Sequence, residues 1–500
     1  MRSLLQNERV VVGVLALLYF FTRLVNLTIL PIFTDEAIYI YWSKYIIDTQ
    51  SHWFIALTDG KPPVLTWIIG IVLTVFPRDW YLIAGRLPSI IFGFLSLLGT
   101  YAVAKQLFQS KKISFVAAVF LIFSPFMLVY DRLALYDAQL TAMLVVSVYF
   151  CIRTAKTLSI KYALLWGFFL GLAFLSKPPA ILYLLITPVC FLVLLPAPRA
   201  TIKREWRRIA LSLFLVGFIS EGMNNLQRIS GAYAAFQLKN QQFQQPLSEL
   251  IKNPFSLLPD NLVVFDSWLL SYYTLPLFFF VLVSLFFTAT RKVREGLVLF
   301  LLWAGPVFAF AIAGREIFPR YLLFITPFAM IAVAYTLMTF WQKSILSRIL
   351  FGLLTIALLL LPIRFCYLLL TNPKEAPLPT ADFNQLVAEH PSGYGLDRVF
   401  SYIRSQEKNG KVTVVPQGTF GLYPYAFYLE FWGNPNVRIL PKWPLDQLDE
   451  EVYQARQDGK VVIVLKEKSG IFPALQDLVL IETIIKPKSI KYPIYLLEVK

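Results

Sequence analysis

The chain has 500 residues, 57% of them hydrophobic and 15% charged, with a mean hydropathy of +0.62; this balance excludes an ordinary soluble enzyme of that length. A formal charge of +16 raises nucleic acid as a partner, but the Lys and Arg residues are scattered in short segments between apolar runs, with no basic groove or recognisable binding module, which argues against it. Cys151, Cys190 and Cys366 are isolated within or near the apolar runs, and His52 and His390 stand far apart. That leaves no disulfide framework and no zinc-type ligand set.

Apolar runs of about 20 residues, each able to cross a ~30 Å hydrocarbon core, recur through the first three quarters of the chain. Arg2 and Arg9 precede the first run, Val10 to Leu30, and favour a cytoplasmic start. No small-residue cleavage site follows, so this run reads as a retained span. The outside loop that follows holds Asp35-Glu36, the aromatic stretch Tyr39-Ile40-Tyr41-Trp42, which suits a helix lying in the membrane interface, and Asp59-Gly60-Lys61-Pro62-Pro63.

Val64 to Phe76 is short for a span, and charge decides its role. If it stays interfacial or re-entrant, every later basic segment (Lys105/Lys111/Lys112, Arg153/Lys156/Lys161, Arg199 to Arg208, Arg291/Lys292/Arg294 and Lys343/Arg348) lands on the cytoplasmic side. Further spans are expected near 87–104, 113–130, 138–156, 162–176, 180–196, 209–228, 268–289, 296–313, 320–340 and 349–370, for about eleven in all. An odd number puts the C-terminus outside. The outside loops are then Asp131 to Asp137, Ser176 to Pro179, residues 229–267, and Gly314 to Tyr321.

After Thr371 the composition changes. Residues 372–379 read as a Pro-rich linker. Residues 380–500 alternate short β-rich runs (Lys411–Val415, Val461–Lys466, Leu478–Ile485) with helical patterns at Ala381–Glu389 and Leu396–Gln406, the mark of a small α/β domain. It shows no glycine-rich phosphate loop and no nucleophile motif. Its expected role is packing, with acceptor docking as the alternative.

Charged side chains at a membrane boundary need water or partners. Asp35 and Glu36 are adjacent, so on a helix they point about 100° apart and divide their roles. Either one faces a cavity while the other anchors the loop, or both only end the span in water. Asp35-Glu36, Lys61-Pro62-Pro63, Arg86-Leu87-Pro88-Ser89, Asp131-Arg132 through Asp137, and Pro319-Arg320-Tyr321 occur in an order that resembles the GT-C membrane glycosyltransferases. Within these the chain is most similar to the protein O-mannosyltransferase and lipid A aminoarabinose transferase group (glycosyltransferase family 39 and its bacterial relatives), over about residues 1–370.

The resemblance implies a mainly α, GT-C-like membrane domain over residues 1–371, with interfacial helices in the first outside loop. It implies transfer of a hexose or pentose from a polyprenyl-phosphate carrier to a protein, lipid or glycan acceptor on the non-cytoplasmic face, with Asp35 as the base. A carboxylate there can take the proton of an acceptor hydroxyl, and attack opposite the phosphate inverts the anomeric centre. The departing phosphate needs cations, and Lys61, Arg315 and Arg320 are the candidates. Glu36 and Asp137 support, the latter by orienting the acceptor, holding a cation or holding the loop; Asp131 and Arg132 are expected to pair. Lys177-Pro178-Pro179 repeats the Lys61 motif as a turn toward the same cavity.

No cofactor is implied, and a divalent ion held by oxygens alone would leave little signature. Two departures keep the substrate open. The aminoarabinose transferases tend to have Arg where this chain has Ile38, and Glu where it has Gly60. The alternative is a transporter or flippase of polyprenyl-linked glycans, which would also want outward cations, but internal repeats and mid-membrane charges are missing. A receptor-like scaffold leaves the charged outside motifs without an account.

Overall fold

A computed structural model describes residues 7–341, 344–445, 447–466 and 478–500; Arg2 and Lys343 lie outside them. The chain divides into two units, Met1–Val25, Trp53–Leu65 and Arg86–Thr371 in one, and Asn26–His52, Thr66–Gly85 and Asn372–Lys500 in the other. The expected boundary at residue 371 is therefore only part of the division, because two stretches of the N-terminal region belong with the C-terminal one.

The first unit is a helical bundle. Among the described residues six helices are long and apolar enough to cross a membrane, including Tyr136–Thr157, Val293–Ala313 and Ile345–Thr371, and two bent helix pairs raise this to eight. Ile160–Phe174 and Ala180–Leu194 are apolar but have only 15 residues each, about 22 Å of helix. The first helix runs Glu8–Leu24 and stops at Val25, whose backbone is extended, short of the expected Leu30.

The run expected at 268–289 as one span is two helices, Leu258–Tyr273 and Leu275–Arg291, bent by 111°. Thr274 between them has φ +66°, and Pro276, in the first turn of the second helix, supplies no amide hydrogen to continue the first. Lys111–Ile122 and Pro125–Asp131 meet at 64°, where Ser124 caps the second helix through the Met127 amide at 3.4 Å.

Inside this bundle Arg23, 1% exposed, pairs with fully buried Asp131, Nη2 to Oδ2 3.1 Å. Arg132 donates to the carbonyls of Val25 (2.7 Å) and Thr22 (3.2 Å), satisfying orphan acceptors at the end of the first helix. Asp131 thus takes its cation from the first helix and not from Arg132, its neighbour in sequence.

The second unit holds a five-stranded sheet in the order β2-β1-β3-β5-β4: β1 Val412–Pro416, β2 Val437–Ile439, β3 Lys460–Leu465, β4 Leu478–Lys486 and β5 Ser489–Val499. β1 is parallel to β2 and β3, while β5 runs antiparallel to both β3 and β4. Val415, Val461, Ile463, Leu465, Val452 and Leu497 share one core. β1 is buried on both faces, as expected for a strand inside a parallel sheet. Three-residue β2 and β5, which contains Pro493, were not among the expected runs.

Helix Thr34–Thr49 belongs to this unit because the Thr34 amide and hydroxyl both donate to the Pro391 carbonyl (3.0 and 3.2 Å). Its Tyr41 ring also stacks on Tyr425 at 4.2 Å and 8°. Helix Val64–Val75 has 12 residues, too few to span.

Candidate functional site

In the helical unit a cavity of about 190 Å³ is lined by Lys61, Lys177, Asn240, Phe243, Glu316 and Tyr321, among other residues. Two Lys-Pro-Pro turns build one wall. Gly60 ends the 3-10 turn Ile55–Asp59 at φ +72°, and the Lys61 amide closes back on the Ala56 carbonyl at 3.0 Å. Asn240 donates to the Gly60 carbonyl at 3.2 Å, and the Lys61 ammonium lies 5.5 Å from the centroid of Phe243.

The second turn follows helix Ile160–Phe174, with the Lys177 amide bonded to Ala173 O at 2.9 Å. Pro178 and Pro179 then lead into helix Ala180–Leu194. Lys177 is 7% exposed; its ammonium is 2.7 Å from Asp137 Oδ1 and 4.8 Å from the Tyr321 ring centroid. Burial is the main influence on its pKa, brought down to about 8; the charges of Arg320 and Lys61 act in the same sense, and Asp137 opposes them. Arg320, 9% exposed, lies 4.6 Å from the Phe318 ring centroid. Lys61 and Arg320 therefore both act electrostatically on Lys177, with Asp137 as its buried counter-charge.

The cavity rim is held by main chain. Gln244 and Gly314 form an antiparallel bridge, and Asn261 donates to the carbonyls of Ala311 (3.1 Å) and Gly314 (2.9 Å). Arg315 is not part of the lining: half-exposed, it pairs with Glu249 at 3.0 Å.

Asp35 and Glu36 lie in the other unit, in the first turn of helix Thr34–Thr49, where the helix dipole favours acidic side chains. Glu36 is fully buried and accepts from the Phe33 amide at 3.4 Å, while Asp35 remains partly exposed. The two adjacent carboxylates thus occupy different surroundings.

Of the residues singled out in the sequence, Lys61 and Lys177 line the cavity, Asp137 pairs with Lys177, and the charge of Arg320 reaches Lys177. Lys177 carried a signal, the repeated Lys-Pro-Pro; Asn240 and Phe243 carried none. Among the described residues no three His, Cys, Asp or Glu side chains are grouped to hold a metal.

Comparison with known proteins follows the same lines. Residues 60–222 match the family described as dolichyl-phosphate-mannose-protein mannosyltransferase; this segment includes Lys61, Asp137 and Lys177. The crystal structure of ArnT from Cupriavidus metallidurans bound to undecaprenyl phosphate is similar over 98% of this chain and 97% of that one, with a TM-score of 0.58 at 13% identity. An Archaeoglobus fulgidus oligosaccharyltransferase in complex with Zn and sulfate is similar over 91% of this chain and 68% of its own, with a TM-score of 0.53 at 13% identity. No curated protein matches at the level of sequence. The GT-C-like fold expected from the sequence is thus shared with these structures over nearly the whole chain, while the family match itself covers residues 60–222.

Proposed function

We propose that the protein is an inverting glycosyltransferase that takes a hexose or pentose from a polyprenyl-phosphate carrier. The acceptor is a protein, lipid or cell-envelope glycan on the non-cytoplasmic face; the N-terminus is cytoplasmic and the C-terminal domain extracytoplasmic. The observation that carries the reading is that Lys61 and Lys177 line one cavity while the charge of Arg320 acts on Lys177, which gives a leaving phosphate compensating positive charge. The similarity to a structure bound to undecaprenyl phosphate supports a lipid-linked donor. The similarity to an archaeal oligosaccharyltransferase that was tethered to an acceptor peptide (TM-score 0.51, 13% identity) supports an acceptor.

In the proposed reaction Asp35 takes the proton of the acceptor hydroxyl as the oxygen attacks the anomeric carbon. The bond from that carbon to the phosphate oxygen breaks on the opposite side, and its electron pair leaves with the carrier phosphate. Lys61 and Arg320 meet the developing negative charge, Lys177 supplies further positive charge against it, and Asp137 fixes the Lys177 ammonium. Glu36 holds the turn that carries Asp35.

Purified protein in liposomes, given a labelled polyprenyl-phosphate sugar and a cell-envelope acceptor fraction, should form a new glycosidic product. Asp35→Asn should slow this by about 10²–10⁴-fold, the usual share of a general base, with carrier binding retained. Movement of the carrier across the bilayer without bond formation would instead make the protein a flippase.

A further inference from the structure

The second unit contains a concavity that the proposed chemistry does not use. An open groove of about 750 Å³ is lined by Asp79, Arg404, Glu430, Trp432 and Asn434, with Phe431 and Gly433. Three local segments build it: the 3-10 turn Arg78–Trp80, helix Leu396–Glu407, and the chain leaving helix Leu422–Glu430. Arg404 pairs with Glu430 at 2.5 Å, and the other Glu430 oxygen accepts from the Tyr81 hydroxyl at 2.9 Å. Asn434 donates to Glu407 at 2.7 Å.

These bonds fix the groove's walls but leave polar groups open. Asp79 is exposed, and its carboxylate has no partner among the described residues. Arg404 is about half exposed, and a guanidinium has five donors, so its pair with Glu430 does not use them all. Between them Trp432 is the partly exposed aromatic side chain of the lining. It is braced by Lys44 and Arg78, 5.0 and 5.5 Å from its ring centroid; Trp80, 50% exposed, follows Asp79 in the chain but lies outside the lining. Gly433, at φ +77°, leaves bare backbone where a Cβ would fall 2.0 Å from Arg78 Nη1, so a side chain there would displace that brace.

We propose that this groove binds a neutral saccharide and holds the glycan part of the acceptor. Vicinal hydroxyls both donate and accept, which matches an open carboxylate set against the donors that Arg404 keeps beyond its bond to Glu430, and the apolar face of a sugar ring matches the exposed part of Trp432. The groove's charges, Asp79 and Glu430 against Arg404 with Arg78 beside it, nearly cancel, which favours neither a polyanion nor a basic peptide. Identifying the ligand as part of the acceptor rests on the transferase reading; the binding itself does not.

The test is saturation-transfer NMR on the full chain in lipid nanodiscs, with cellotetraose, maltotetraose and mannotetraose as probes and no sugar donor present. At least one probe should bind. Asp79→Asn, a surface change that leaves the fold intact, should weaken it by about tenfold, as expected for the loss of one charge-assisted hydrogen bond, and Trp432→Ala should abolish it. Failure of all three probes, or binding that survives both substitutions, overturns the proposal. Association with anionic vesicles but not with saccharide also overturns it, by making Arg78 and Trp80 a membrane anchor. Saccharide binding in a protein that transfers no sugar would remove the transferase reading and leave the groove standing; normal transfer without saccharide binding would do the reverse.

Discussion

Lys61-Pro62-Pro63 and Lys177-Pro178-Pro179 are the same tripeptide in two settings of one cavity. Lys61 follows a left-handed glycine and rests against Phe243. Lys177 follows a regular helix, is almost completely buried, and is tied to Asp137. The prolines in both stiffen the backbone behind an ammonium. Surroundings, rather than motif, then decide what each ammonium can do: Lys61 keeps contact with water, whereas Lys177 carries a charge that only Asp137 and the cavity's contents compensate.

The largest test of that difference is on stability. Replacing Asp137 with Asn leaves a buried cation without its counter-charge, a change that costs about 3–5 kcal/mol in comparable pairs. Lys177→Met alone should cost a similar amount by stranding the carboxylate, and the double variant should recover most of the loss. Lys61→Met should leave stability nearly unchanged. Thermal unfolding in one detergent across the four variants measures this, and equal losses for Lys61→Met and Lys177→Met would erase the contrast.

The pH response sharpens it. With its pKa down at about 8 against an ordinary 10.5, Lys177 in the folded protein loses its proton while the unfolded chain still keeps one. Folding stability should therefore rise with pH between about 8 and 10.5. Carrier binding should move the other way, falling above pH 8 as the ammonium becomes neutral. Lys177→Arg, charged throughout this range, should flatten both trends. A donor KM that stays constant to pH 9.5 in the unsubstituted protein would remove Lys177 from phosphate binding.

A smaller effect is expected at Gly60. Its φ of +72° costs an L-residue roughly 1–2 kcal/mol, while the nearest atom to an added Cβ is the flexible Lys239 side chain at 2.9 Å. Gly60→Ala should lose stability in that range and Gly60→Asn less, since Asn tolerates the left-handed region. Denaturant midpoints rank the two variants, and an Ala variant as stable as the parent would show that the turn relaxes freely.

These contrasts mark where the sequence was legible. The bundle could be read because a long apolar run has few alternatives to a membrane helix, and Lys177 because its motif is a repeat. The break at Thr274 could not, because hydropathy is blind to a backbone angle. The grouping of helix Thr34–Thr49 with the C-terminal sheet was equally hidden. It depends on Tyr41 meeting Tyr425 and Thr34 meeting Pro391, contacts separated by more than 300 residues that leave no local pattern. The groove at Asp79 and Trp432 joins stretches just as distant.

Arg315 and Arg320 show the same limit most sharply. In sequence they are two arginines five apart in one outside loop, equal as phosphate ligands. In the structure Arg320 is 9% exposed and its charge is felt at Lys177, whereas Arg315 is half-exposed and paired with Glu249. A surface pair of that kind contributes about 0–1 kcal/mol, so Arg315→Ala should change the folding equilibrium and donor KM by less than about fivefold. Arg320→Ala should raise donor KM by about tenfold or more, since it removes a cation held in low-dielectric surroundings. Parallel donor titrations of the two variants decide the matter; a larger KM change for Arg315→Ala would mean that its pair with Glu249 opens to meet the phosphate and that the cavity's cation set extends to the surface.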